Sequence, residues 1–377
     1  MAGVRASLAV VAASVMVLVA ASVPYHHVAG VRGGVVVEAA PAPYTVLIPE
    51  IRRMATDPQS LAPQQGSRFV FGVYPGGVTG ETPHNYAQPR PEAVVGRLKE
   101  LAGDRRLVVH LYTGWMWDGD WIDAEVKRYA DAGFQVVVTV RYAPPADREG
   151  DVAGYEAYVR SLVRRLGANP AVMSFCIGNE ANAYGSPDAS DGPFARSHEA
   201  VARGVVAAAD ELRRMGSSAK VGFNFSGTNA DADARFIAGL VELGGPEFVR
   251  ALGVIGVQLY PGIWYAGGVP YDDMVKALES ARRSVDSVTG LRGMPLEVLE
   301  TGAPLLDEAA QASRLEALVR ATLDTRERLN VVHLNWFDLW DSDSGSSYQF
   351  AHYGLLRSDL SYKPAFPVYR DLIARHS

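Results

Sequence analysis

The chain is poor in the residues that advertise the commoner chemistries. It has one cysteine, Cys176, so no intrachain disulfide can form. Its eight histidines are dispersed, with no HxH or HExxH, and the one adjacent pair, His26-His27, lies far from any strand pattern. No metal centre is therefore expected. There is no GxSxG elbow and no Walker sequence. Gly72 and Gly76-Gly77 follow the first strand-like run without GxGxxG spacing and do not lead straight into a helix, so no cofactor is expected. Lys and Arg form no run, and the net charge is −6, which argues against nucleic acid or lipid headgroups as partners.

Long polar stretches are missing at the N-terminus. After Arg5, residues Ala6 to Val23 are unbroken small and apolar side chains, eighteen in all, with Ala20 and Ser22 as a small-x-small pair. This reads as a signal peptide over 1–23, with an uncleaved membrane anchor through residues 6–23 as the alternative. Either places the protein outside the cytoplasm, secreted or at the cell surface. Residues 24–66 read as a tether: Glu38-Ala39-Ala40-Pro41-Ala42-Pro43 is linker-like, and Pro58 to Gln65 is polar with two prolines.

What is present from Ser67 onward is an alternation of short β-branched runs and longer helical patterns. Strands are expected at Phe69–Tyr74, Arg106–Tyr112, Gln135–Arg141, Val172–Gly178, Lys220–Phe225, Val254–Tyr260, Pro295–Glu300 and Val331–Phe337. Helices follow them, among them one from about Pro193 to Met215, one or two short ones across 230–252, and a closing helix after Pro364. The strands are apolar throughout, as parallel strands buried on both faces are. Eight such units close a barrel. The expected fold is therefore α/β, a (β/α)8 TIM barrel forming one catalytic domain over 67–377; an open doubly wound sheet is the rival.

In such a barrel function sits on the loops after the strands. All six tryptophans fall at or beyond strand C-termini: Trp115, Trp117 and Trp121 after strand two, Trp264 after strand six, Trp336 and Trp340 at strand eight and its loop. An aromatic-lined cleft is expected, and flat aromatic faces suit sugar rings. Two glutamates end strands on that same face. Glu180 ends strand four in Gly178-Asn179-Glu180, and Glu300 ends strand seven in Glu300-Thr301-Gly302. Hydrolysis of a glycosidic bond needs two such carboxyl groups, one donating a proton and one attacking the sugar, about 5–5.5 Å apart in the retaining mechanism. The alternative, a non-catalytic cell-surface glycan-binding barrel, would not require both. His110, in strand two, is either a lumenal substrate contact or a core histidine.

With Asn-Glu ending strand four and Glu ending strand seven, residues 67–377 resemble the clan A retaining glycoside hydrolases. Gly178-Asn179-Glu180 and Glu300-Thr301-Gly302 are similar to the family 17 β-glucanases. Trp336 and the Gly354-Leu355-Leu356 … Lys363-Pro364-Ala365 ending look more like the cellulase and xylosidase families of that clan. The resemblance implies Glu180 as acid/base, Glu300 as nucleophile and Asn179 as a sugar 2-hydroxyl ligand. It further implies that Tyr260 hydrogen-bonds the nucleophile and that Trp336 is the platform under the sugar. The implied substrate is a β-linked polysaccharide or oligosaccharide. Many clan members carry an arginine late on strand two; here strand two ends His110-Leu111-Tyr112, and Arg141 at the end of strand three is the candidate cation.

Glu297 lies three residues before Glu300. Strict alternation would turn it to the helix layer, where it would need a cation such as Arg292. Asp341, Asp343 and Ser344 in the strand-eight loop suit a solvated loop better than a cation or sugar site.

Overall fold

A computed structural model describes residues 69–76, 90–265 and 267–377. The expected leader and tether, 1–23 and 24–66, lie outside the described residues. The strands are β1 (Val70–Val73), β2 (Leu107–Gly114), β3 (Gln135–Arg141), β4 (Val172–Ile177), β5 (Lys220–Gly222), β6 (Asn224–Ser226), β7 (Ile255–Gln258), β8 (Leu296–Thr301) and β9 (Val331–Trp336). All pair in parallel, in the order β5-β4-β3-β2-β1-β9-β8-β7-β6. The two ends of that series, β5 and β6, are consecutive halves of one stretch that breaks at Phe223. The sheet therefore closes on itself as an eight-staved (β/α)8 barrel, and the expected strand five is real but split.

The helices are α1 (Pro91–Ala102), α2 (Trp121–Asp131), α3 (Val152–Leu166), α4 (Ser197–Met215), α5 (Ala230–Ala251), α6 (Pro270–Ser287), α7 (Glu308–Leu329) and α8 (Ala365–His376). Their ends follow local chemistry. Pro91 and Pro270 occupy first turns, where no amide partner is lost. Asn229 and Asp307 cap α5 and α7 by accepting two backbone N–H bonds each. Helix α4 starts at Ser197 rather than Pro193 because Arg196 is left-handed, with φ 59°. The ambiguity over 230–252 has a cause: Gly245 is non-helical at φ 62°, and Pro246 follows it. Two helical pieces join across that kink.

Two cores result from the alternation along the strands. Outward side chains such as Val109, Val138, Phe175, Ile177, Leu334 and Trp336 join the large core under the helices. Inward ones, Val70, Val108, Val137, Cys176 and Leu299, form a small apolar plug inside the barrel. Cys176 is thus a core residue. Above and between them lie polar lumenal groups, His110, Thr139, His333 and Asn335, all wholly buried. Gly72 makes room for this layer: a Cβ there would stand 2.5 Å from both Asn335 Oδ1 and His333 Nε2. The lumen is a filled core that leaves its chemistry at the C-terminal mouth.

Candidate active site

Glu300 emerges at that mouth with its carboxylate held by three donors. Tyr112 Oη, from β2, and Gln258 Nε2 (2.7 Å), from β7, both donate to Oε1. Tyr260 Oη donates to Oε2 at 2.7 Å. Burial pushes the Glu300 carboxyl upward, while the hydroxyls of Tyr112 and Tyr260 and the charge of Arg141 oppose that shift. The anion is therefore provided for although the side chain is buried.

Glu180 lies close enough to Glu300 to be raised by its charge, on a turn that only a constrained chain adopts. Gly178 is at φ 80° and Glu180 at φ 46°, a left-handed conformation uncommon outside glycine. The turn is pinned by Asn224 Oδ1, which accepts from Glu180 N at 2.6 Å, and by Asp191 Oδ2, which accepts from Asn179 N at 2.7 Å. Burial, and then repulsion from Glu300, raise the Glu180 carboxyl from 4.5 to about 8; Ser226 and Arg141 pull the other way. Burial raises both carboxyls, and the charge of Glu300 raises Glu180 further.

Asn179 joins the two halves of the site. Its Oδ1 accepts from Asn224 Nδ2 at 3.1 Å and from Gln258 Nε2 at 2.7 Å, and its Nδ2 donates to Ala189 O at 2.8 Å. One amide hydrogen remains for a ligand. Gln258 is thus shared between Asn179 and Glu300. Neither Gln258 nor Tyr112 was singled out from sequence. Tyr112 had a signal: it lies two residues above His110 on the same strand face, toward the mouth.

Arg141 is buried, and three of its five donors bond a loop. Nε donates to Asp191 Oδ1 at 3.0 Å, Nη1 to Asp188 O at 2.6 Å and Nη2 to Pro187 O at 2.9 Å. Its expected place as a substrate contact is corrected: it folds the strand-four loop over the site. Its charge still favours the ionised form of both glutamates. Breaking a buried pair of this kind typically costs about 3–5 kcal/mol.

His110 is also corrected, to a core residue. It is 0% exposed, with Nε2 2.7 Å from Thr139 Oγ1 and Nδ1 3.1 Å from Leu299 O. Burial lowers its pKa to about 3, so the ring is neutral.

The tryptophans divide. Trp117 and Trp264 are 42% and 50% exposed on the rim, and Trp121 is exposed beside Trp117. Trp115 is 6% exposed and packs among Tyr142, Tyr155 and Arg148, and Trp340 is buried with its Nε1 donating to Pro75 O. Trp336, expected as the platform, is 0% exposed and packs against Tyr369 of α8. The reason is strand parity: His333 and Asn335 face the lumen, so Trp336 faces the helices. The next residue, Phe337, turns to the mouth instead. It stacks on Tyr74 at 5.0 Å and meets Tyr353 edge-on at 5.3 Å. Tyr353 in turn reaches Tyr260 and Phe350, and Trp264 stacks on Phe350 at 4.7 Å. The aromatic belt exists, but tyrosine and phenylalanine build most of it.

Glu297 shows a third departure. A β-bulge in β8 shifts its register against β7, from Val257↔Val298 to Gln258↔Glu300. Alternation is lost there, and Glu297 and Glu300 both face the lumen, not opposite sides. Glu297 accepts from Ser174 Oγ at 3.5 Å, and its stabilising cation is Lys220, not Arg292. Burial raises its carboxyl from 4.5 to about 7. The folded state therefore keeps a proton that the unfolded chain has lost, and stability falls as pH rises from about 4.5 to 7. Glu297→Gln is expected to raise thermal stability at pH 8, by up to roughly 3 kcal/mol, and to add little at pH 4. Melting curves of both proteins at the two pH values check this; an equal difference at both would refute it.

Asp341 is not in a solvated loop. It accepts from Lys363 Nζ, Gly354 N and Ser344 Oγ, each at 2.9 Å, and is buried. Among the described residues no cluster of His, Cys, Asp and Glu suits a metal ion.

No family model matches this sequence. No curated protein matches it either. Solved structures do. A substituted form of GH5_18 from Bifidobacterium longum subsp. longum, in complex with Manβ1-4GlcNAc, is 18% identical with a TM-score of 0.58, over 82% of this chain and 78% of that one. Fungal β-1,4-galactanases are similar at 17% identity and TM-score 0.56, over 80% and 99%. The GH53 catalytic domain of Ignisphaera aggregans is 16% identical at TM-score 0.55, over 82% and 97%. At these identities the likeness is one of fold, and it establishes the TIM barrel.

Proposed function

We propose that this chain is a retaining glycoside hydrolase of clan A type, acting on a β-linked glycan through a covalent glycosyl-enzyme intermediate. The observation that carries the reading is the unequal surroundings of two electrostatically coupled carboxyls. Glu300 is surrounded by donors that favour its anion, while Glu180 is held protonated by burial and by the Glu300 charge. Different surroundings in one carboxyl pair support Glu180 as the acid and Glu300 as the nucleophile.

In the first step a Glu300 oxygen attacks the anomeric carbon. Oε1 already accepts two bonds and Oε2 one, which leaves Oε2 the freer lone pair. The bond to the leaving oxygen breaks as Glu180 gives it a proton. The ester at Glu300 carries no charge, so the repulsion that raised Glu180 ends. Glu180, now ionised, takes a proton from water as the water attacks the same carbon. Glu300 leaves as the anion, and the sugar is released with its configuration retained. The remaining Asn179 amide hydrogen is placed for the sugar 2-hydroxyl. Phe337 and Tyr74 take the part that the resemblance assigned to Trp336.

Neighbours of this fold include a complex with Manβ1-4GlcNAc and β-1,4-galactanases, which places mannan and galactan beside β-glucan and xylan as test substrates. The family 17 likeness rests on the two glutamate motifs alone. The apolar run at 6–23 supports an extracytoplasmic location.

The test is product release from that panel by the purified protein, with the anomer of the first product read by NMR. Cleavage of one polymer with the β-anomer formed first is expected. An α-anomer would mean an inverting enzyme, and glycan binding without cleavage would mean a binding barrel.

A further inference from the structure

We propose that His110 and Asn335, sealed inside the barrel beneath the mouth, are positioning residues that aim Glu300 by holding the backbone carbonyl of Leu299. The inference rests on Glu300 being the nucleophile. It starts from the bulge in β8. Against β7 the register passes from Val298 to Glu300 in one step, and against β9 it passes from Val298↔Leu334 to Thr301↔Trp336. Leu299 is the inserted residue. Its side chain drops into the lumenal plug, and its carbonyl is met by two side-chain donors. His110 Nδ1 and Asn335 Nδ2 each lie 3.1 Å from that oxygen.

The arrangement fixes more than a distance. A buried carbonyl needs donors, and an interrupted ladder is where backbone donors are least available. Because a carbonyl only accepts, a proton on His110 Nδ1 is the tautomer that serves Leu299; Asn335 Nδ2 also lies 3.3 Å from that nitrogen. In that tautomer His110 Nε2 accepts from Thr139 Oγ1 at 2.7 Å. The ring cannot reach substrate, being wholly buried. It also lies 4.4 Å from the ring of Tyr112, the residue that donates to Glu300 Oε1. Thr139, His110 and Asn335 thus form a polar brace from β3, β2 and β9 onto the one peptide that precedes the nucleophile. The brace fixes the peptide from which Glu300 departs, below the three donors that hold its carboxylate.

Asparagine and glutamine at position 110 separate this role from simple core filling. Asn places an amide nitrogen near the position of histidine Nδ1, whereas Gln places one near Nε2. His110→Gln is expected to lower kcat by about 10- to 100-fold, the scale of a misplacement near 1 Å, with KM nearly unchanged. His110→Asn should stay within a few-fold of wild type. The pH profile gives a readout that packing alone would not move. The groups facing the glutamate pair are Arg141, Asp191, Ser226, Tyr112 and Tyr260. If Glu300 swings away, its repulsion of Glu180 weakens, and the alkaline limb of kcat/KM moves to lower pH in His110→Gln but not in His110→Asn. Should His110→Gln not fold, Thr139→Val removes the hydroxyl that holds Nε2 and so loosens the ring, and is expected to shift kcat and the alkaline limb in the same direction. Equal losses in the Asn and Gln variants, or lost kcat with unmoved pH limbs, would overturn the proposal. Glu300→Ala assayed alongside keeps the two readings apart. An active Glu300→Ala defeats the nucleophile assignment, whereas an inactive Glu300→Ala with a fully active His110→Gln defeats only the brace.

Discussion

Glu300→Ala is expected to reduce turnover of the cleaved polymer on the order of 10⁵-fold, the scale seen when a covalent nucleophile is removed. Glu297 cannot take its place, because it faces the lumen lower down, beside Ser174, and the proposed mechanism uses Glu180 as the proton donor. The variant should still fold. It loses three hydrogen bonds, from Tyr112, Gln258 and Tyr260, but it also removes a buried charge. Substrate affinity should be little changed, because the lost interaction forms its bond only in the transition state. Added azide supplies the decisive readout. It occupies the space that the carboxylate leaves and attacks from that face, so the α-glycosyl azide is the expected product from an activated substrate. A β-azide, or residual turnover near wild type, would exclude Glu300 as the nucleophile.

Glu180→Ala should behave differently with different leaving groups. For a natural glycan, loss of the general acid is expected to cost about 10²- to 10⁴-fold. For an activated aryl glycoside, whose leaving group needs no proton, glycosylation should proceed nearly unimpaired. The intermediate then accumulates for want of a base, and azide should release it as the β-glycosyl azide. The pH profile carries the same assignment. The wild type needs Glu180 protonated, so kcat/KM should fall as pH rises through about 8, and the variant should lack that limb on activated substrates. Equal losses on both substrate classes, or an alkaline limb that survives the substitution, would remove Glu180 from the role.

Much of the architecture was legible because its causes are local. Apolar β-branched runs of strand length, spaced by amphipathic stretches with Pro91 and Pro270 in first turns, specify buried parallel strands and their covering helices without reference to anything distant. The split of the fifth strand was not legible. Lys220 to Phe225 reads as one run, and only its neighbours on either side, β4 and β7, separate it into two pairings. The two glutamates were legible for a related reason: each ends an apolar strand, and a barrel delivers every such end to one face.

The errors all concern where a side chain points. Trp336 was placed in the cleft on the strength of its position at a strand end, although one residue decides the face. His333 and Asn335 turn inward, so Phe337 reaches the mouth and Trp336 does not. Glu297 failed in the opposite way. The alternation rule was applied where a bulge suspends it, and a bulge is a matter of pairing with β7 and β9, which the local sequence does not display. Arg141 acts on both glutamates by charge, but its direct partner is Asp191, fifty positions away in the chain, and not the substrate.

The sequence by itself determined the periodicities, the caps and the chemical types at the strand ends. Those depend on neighbours within a few residues, and they carried the barrel and the glutamate pair. Only the tertiary structure decided which donors surround Glu300, how burial and neighbouring charge act on each glutamate and which aromatic faces the mouth. Each of these depends on burial and on partners from β2, β7 and β9, brought together by closure of the sheet, and no local pattern encodes the electrostatics of a space that exists only once the barrel is closed.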